Sequence, residues 1–218
     1  MSKAKKNNKE ISNTEVQNDN SEQSFNKSLL YSPYIETSLR CPIILTPTQM
    51  DNKIQLHLKS NLNNTIKGHC YFNYGYVVKI NKLEEISDGI IEEEDSSCSA
   101  KFIVKFSSRL CFPVKNREII CRIDRINKEL ISGVNGPIKA IITSDKINKD
   151  KFFIDNERNI RTKSDSKTLE QDMYIKILIL ASRFRHHDVN IIIISFLQDI
   201  ATENEIAMFK KEQFENEN

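Results

Sequence analysis

Three stretches decide the fold: GHCYFNYGYVVKI at residues 68–80, AKFIVKFSSRLCFPVKNREIICRI at residues 100–123 and NGPIKAIITSDKI at residues 135–147. In the first, Gly68 opens a run rich in β-branched and aromatic side chains. That run is interrupted from Asn73 to Gly75, where Asn and Gly accept positive φ, so a protruding hairpin or kinked strand is expected. In the second, alternation puts Phe102, Val104 and Phe106 on one face of a strand until Pro113 interrupts the sheet. Beyond it Ile119, Cys121 and Ile123 share a face while Arg122 and Asp124 point away. The same alternation returns at Ile138 to Thr143, after a Gly136-Pro137 turn.

Outward from these stretches, the segment from Leu29 to Leu45 is apolar but broken by Pro33 and Pro42, which suits an edge strand. Thr46, Pro47, Thr48 and Gln49 carry a helix start signal: a capping hydroxyl, proline in the first turn and Gln three residues on. Met50, Ile54, Leu58 and Leu62 then recur every four residues, with His57 one step off that stripe. Two long strands are expected at Met173 to Ala181, with Met173, Ile175, Ile177, Ile179 and Ala181 on one face, and at Val189 to Leu197. Four or five short strands in this half of the chain point to a small barrel. A polar loop from Asp155 to Asp172 lies between them, long enough to suggest a function. The expected class is mainly β, of α+β type. Residues 1–28 read as a disordered extension, 29–114 as a sheet-and-helix domain, 115–202 as a barrel, and 203–218 as an acidic tail with a short helix that frays.

The net charge of +2 over 218 residues hides an uneven distribution. Residues 115–187 hold 16 Lys and Arg against 10 Asp and Glu, whereas residues 188–218 hold 2 against 7. One basic module beside an acidic segment is the pattern of a domain that meets phosphate within a chain that otherwise meets protein. The five cysteines form no C-x-x-C pair, which argues against a zinc site and a disulfide framework and for buried, reduced thiols. The Lys- and Asn-rich N-terminus lacks the apolar core of a secretory signal, and the longest apolar runs fall short of the ~20 residues that cross a bilayer. A soluble intracellular protein is the expectation.

No catalytic constellation emerges. There is no G-x-x-x-x-G-K-[ST], G-x-S-x-G or H-E-x-x-H, and five glycines leave little means to build a phosphate loop. The seven carboxylates between Glu84 and Asp95 lack EF-hand spacing and read as a solvated loop. His186, His187 and Asp188 read as a turn between the last two strands. Arg183, Phe184 and Arg185 in the same corner, with Arg158, Arg161 and Lys163 from the long loop and Lys139 on the strand after Gly136-Pro137, form an alternation of cations and an aromatic. That mixture suits single-stranded RNA, whose phosphates are neutralised while its bases stack. No cofactor, metal, membrane or small-molecule substrate is expected.

The order of these segments resembles the stalk subunits of DNA-directed RNA polymerases, represented by the seventh subunit of the eukaryotic RNA polymerase II and by its archaeal counterpart. The resemblance spans roughly residues 31–200. It rests on the helix leading to Ile66-Lys67-Gly68, on Tyr74-Gly75-Tyr76 with Val77 and Val78, on the strand ending at Phe112-Pro113, and on the Gly136-Pro137 strand ending in Thr143. It implies an N-terminal tip domain that docks on the polymerase core, an OB-fold barrel near emerging RNA, and a second stalk subunit packed alongside. By similarity Asn73, Tyr74, Gly75 and Tyr76 fall in the docking loop. The chain would be an accessory subunit without its own active site, located where transcription occurs. Asn116 departs from the pattern, standing where a glycine usually opens the barrel. An abundance of Asn, Ile and Lys is the composition of an AT-rich genome, such as that of a large DNA virus or a parasite. The competing reading is a free OB-fold RNA-binding factor acting in translation or RNA decay.

Overall fold

The computed structural model describes residues 30–93, 95–127, 129–155, 160–164 and 167–217. The extension expected over residues 1–28 lies outside them, as does Arg158. The first sheet is built from β1 (Tyr34–Leu45), β2 (Cys70–Tyr71), β3 (Gly75–Ile86), β4 (Ile90–Ile91) and β5 (Ala100–Cys111), with α1 (Ile54–Ile66) between β1 and β2. Its order is β1-β5-β3-β2, with β4 also on β5, and its neighbours are antiparallel. Leu58, Leu62 and Ile66 turn the buried stripe of α1 towards Leu39, Leu45, Val77, Val104 and Phe106 of the sheet. Val104 and Phe106 have no exposure and Phe102 packs beside them, as the alternation requires.

The helix begins later than the Thr46 signal predicts. Pro47–Gln49 form a single 3-10 turn, closed by the Gln49 side chain accepting the Thr46 N–H at 3.3 Å. Asp51 then accepts the Lys53 N–H at 2.7 Å, a side-chain turn that competes with helix and delays α1 to Ile54. Met50 therefore lies outside the helix. Glu84 and Glu85, expected in a loop, finish β3, where both face Lys105 at 3.5 and 3.2 Å.

The second half is a closed barrel of β6 (Glu118–Ile126), β7 (Leu130–Asn135), β8 (Ile138–Thr143), β11 (Tyr174–Arg183) and β12 (Ile191–Ile200), in the order β11-β12-β8-β7-β6. Only β12 and β8 run parallel, and β6 closes the ring against β11. Five strands closed this way are an OB-type barrel, which removes sheet edges. Ile119, Cys121, Ile123, Ile175, Ile177, Ile179, Ile191 and Ile193 fill it. Ala181, expected among them, is exposed, because a β-bulge between Ile179 and Ala181 shifts the alternation. β7 carries little strand signal in sequence, since its inward positions are Ile131, Gly133 and Asn135. A Cβ at Gly133 would come within 3.2 Å of the Cys121 Cβ on the neighbouring strand, so a larger residue would crowd β6 there. The expected polar loop folds in part into a hairpin of β9 (Phe152–Ile154) and β10 (Ile160–Thr162), with Ile160 and Leu169 buried.

The acidic tail is a 15-residue helix, α2 (Glu203–Glu217), rather than a frayed end. Of the cysteines, Cys41, Cys70, Cys111 and Cys121 are buried free thiols and Cys98 is exposed.

Candidate functional site

The β2–β3 hairpin ends in Phe72, Asn73 and Tyr74. Cys70 pairs with Tyr76 and Tyr71 with Gly75, and the Tyr71 carbonyl accepts the Tyr74 N–H at 3.0 Å. Positive φ falls on Phe72 (42°) and Gly75 (116°) rather than on Asn73. Gly75 is required twice over, because a Cβ there would also sit 2.5 Å from the Cys111 carbonyl oxygen. The four residues singled out from sequence separate: Asn73 and Tyr74 are exposed, Gly75 is buried, and Tyr76 is half-buried against the barrel core. Phe72, which in sequence reads as one more strand residue, is 53% exposed, and Tyr74 is 55% exposed. Both rings lean on the buried Tyr71, Tyr74 stacked at 6.0 Å and Phe72 edge-on at 4.8 Å. Burial pushes the Tyr71 hydroxyl well above the ordinary tyrosine range, so it stays a donor, to the Arg40 carbonyl at 3.0 Å.

The hairpin is clasped by the turn between β11 and β12. The Cys70 N–H donates to the Asp188 carbonyl and the His187 N–H to the Cys70 carbonyl, each at 2.8 Å. His186 stacks on Phe72 with centroids 4.1 Å apart and accepts the Phe72 N–H at 3.3 Å. Burial first, then the Asp188 charge, raises the Cys70 thiol to about 11, which leaves it un-ionised. Among the described residues no group of three or more His, Cys, Asp or Glu is placed to hold a metal. His186 and His187 work here as a packed turn.

The cations expected to meet RNA lie in three places. Arg183 and Arg185 are exposed at the β11–β12 turn, while Phe184 between them is half-buried, its ring edge-on to Phe112 at 6.2 Å. Arg161 and Lys163 belong to the β9–β10 hairpin, where Arg161 is held by Asp155 at 3.2 Å. Lys139 stands on the outer face of β8. The register there joins Tyr174, Arg122, Val134, Lys139 and Ile192 into one cross-strand row over five strands. In sequence Arg122 shows only as a residue pointing outward, because its neighbours in the row come from strands distant in the chain.

No family model matches the chain. Among curated proteins it is 33% identical over 182 residues to "Putative DNA-directed RNA polymerase subunit L376" of Acanthamoeba polyphaga mimivirus, covering 84% of this chain and 90% of that one. The chain belongs to this family of DNA-directed RNA polymerase subunits. DNA-directed RNA polymerase II subunit RPB7 of Glycine max is 24% identical over 140 residues, 64% of this chain and 78% of that protein. Subunit 7 of the same polymerase from Arabidopsis thaliana is 23% identical over a span of the same size.

Two features of this chain set the geometry between its sheet and its barrel. Asn116 takes φ 61° and donates its N–H to the Ile179 carbonyl at 2.8 Å. Asn is among the few side chains that tolerate this left-handed conformation, so the entry to the barrel follows a path that a glycine would also take. The second feature is a buried polar junction. Asn135 donates to the Ile120 carbonyl at 2.8 Å and accepts from Gln213 at 2.9 Å and from the Tyr34 hydroxyl at 3.3 Å. Tyr34 belongs to the first sheet, Asn135 to the barrel and Gln213 to α2, so one amide ties three units together. Gly136 follows at φ 54°, with the Tyr34 hydroxyl 2.3 Å from where a Cβ would stand.

Proposed function

We propose that this chain is a non-catalytic stalk subunit of a DNA-directed RNA polymerase, acting in initiation and elongation. Residues 29–114 form the docking tip, residues 115–202 bind nascent single-stranded RNA, and a second stalk subunit is a candidate companion. The polymerase core supplies the active site. The protein works wherever that polymerase transcribes, in a nucleus or a cytoplasmic viral factory.

The observation that carries this reading is the hairpin end. Phe72 and Tyr74 are large exposed rings on a tip whose backbone is fixed by Gly75, Tyr71 and the β11–β12 turn. Pre-organised aromatic side chains lose little entropy on binding and are the residue types that dominate protein interfaces. The row of Arg122 and Lys139 supports the RNA role, since outward cations on a barrel face neutralise a phosphate backbone.

The test is copurification of the tagged protein from cells in which its polymerase is assembled. Large polymerase subunits should be recovered with the wild type, and Tyr74→Ala or Phe72→Ala should reduce their yield several-fold without unfolding the protein. Full recovery with both variants would remove the hairpin from the docking surface. Absence of polymerase subunits from the wild-type complex would leave the free RNA-binding factor as the better reading.

A further inference from the structure

The outer barrel row runs towards α2, where helix and sheet border an open cleft of about 410 Å³. Arg122, Val134 and Tyr174 line it from the barrel, and Phe209, Lys210 and Phe214 from the helix. Phe209 meets Tyr174 edge-on at 5.6 Å, and the Lys210 ammonium stands 5.6 Å from the centre of the Tyr174 ring. Phe214 is 68% exposed at the rim. Both charged side chains lining the cleft are cations, and Lys139 follows Val134 in the row. Arg122 pairs with Asp172 at 3.4 Å, yet the two side chains are 52% and 68% exposed. An ion pair that wet is worth little and exchanges readily for a phosphate.

We propose that this cleft binds single-stranded RNA, with a base against Phe214 and its phosphates between Lys210 and Arg122. The proposal rests on the reading of the barrel as an RNA-binding unit and extends it, because half of the site comes from the C-terminal helix. Cations alone would accept any polyanion. Three rings grouped among them favour a ligand that carries flat faces beside its charges, and a duplex keeps those faces stacked inside. The volume lies within the range of ~300–1,000 Å³ typical of pre-formed organic-ligand clefts.

The experiment is fluorescence anisotropy of labelled oligouridine with the full chain over a series of salt concentrations. Phe214→Ala should weaken binding about fivefold or more, the low end for one base stacked on one ring. Phe214→Tyr should restore it. Lys210→Gln should reduce the slope of log affinity against log salt by ~0.7, the value for one phosphate contact on a single strand. Lys211→Gln, next along the helix but outside the cleft, should leave that slope nearly unchanged. Circular dichroism and a thermal melt establish that α2 persists in each variant. If the wild type binds no RNA, the barrel reading itself falls, and the cleft with it. If the wild type binds and both cleft variants bind equally well, the cleft is overturned while the barrel reading stands. Equal losses at Lys210 and Lys211, or equally tight binding of a poly-glutamate peptide, would reduce the effect to non-specific charge and overturn it as well.

Discussion

Tyr74 and Tyr76 stand two residues apart in one motif and have opposite fates. Tyr74 sits in the turn with its ring 55% exposed, whereas Tyr76 pairs with Cys70 in the ladder and packs against the barrel core. Tyr76→Ala should therefore cost about 2 kcal/mol in denaturant unfolding, below the ~3–5 kcal/mol of a fully buried ring, while Tyr74→Ala should stay within about 1 kcal/mol. An equal stability loss in both would contradict this assignment. Gly136→Ala should be more damaging, at about 2–4 kcal/mol: the left-handed backbone costs ~1–2 kcal/mol, and the new methyl would meet a hydrogen-bonded tyrosine hydroxyl. The hairpin was legible because a glycine between aromatics marks a turn. Of its two exposed rings Tyr74 was legible and Phe72 was not, because the exposure of Phe72 depends on a one-residue difference in where the turn begins. Phe184 was misleading for a related reason: it is flanked by two arginines in sequence, but its ring packs on Phe112 from the other unit.

At the scale of elements, the first sheet and the inward faces of β6, β8, β11 and β12 follow from period-two alternation, which is a local signal. α2 does not, because its apolar residues form no continuous stripe and most of what fixes it lies far away in sequence. Its start does carry a local device, the Glu205 carboxylate accepting the Thr202 N–H at 2.9 Å. The same carboxylate pairs with Lys176 of β11 at 2.6 Å, where the two side chains are only 13% and 18% exposed. Further along, Glu212 lines the groove beside Tyr31 and Glu215 reaches Arg109 of β5 at 3.8 Å. The two inner glutamates titrate in opposite senses. Burial works to raise Glu205, but Lys176 and the Thr202 bonds outweigh it and hold the carboxyl below its ordinary 4.5. Its contribution to stability is therefore present above that value and lost as pH falls through the folded one. Glu212 is raised above 4.5, chiefly by burial, so its contribution is full below that value and lost as pH rises through the folded one. Glu205→Gln should lower the thermal midpoint at pH 7, and Glu212→Gln should raise it. Both differences should shrink as the buffer is taken to pH ~4. Shifts of the same sign at pH 7 would contradict the assignment.

Across the whole molecule the two cores are not independent. Tyr34, Cys70 and Cys111 come from the first sheet yet pack in the barrel's cluster, and the β11–β12 turn bonds back to Cys70. On the proposed function, with the tip docked on a polymerase and the barrel on RNA, the two ends need to be fixed relative to each other. The device that fixes them here is the Tyr34–Asn135–Gln213 junction. Asn135 is 2% exposed and satisfies the Ile120 carbonyl, the Tyr34 hydroxyl and the Gln213 amide at once. Asn135→Ala would strand up to three buried polar groups, each costing ~1–3 kcal/mol where water cannot reach it. The wild type should unfold in one cooperative transition, seen alike by circular dichroism and by hydrogen exchange. In Asn135→Ala the amides of α2 should lose protection first, and the melt should broaden as the helix separates from the joint between sheet and barrel. Gln213→Ala removes one partner but keeps the Asn135 bonds to Ile120 and Tyr34, so it should loosen α2 while leaving the sheet and barrel melting together. If Asn135→Ala lowers stability uniformly and keeps α2 as protected as the barrel strands, the junction contributes to folding without acting as the brace.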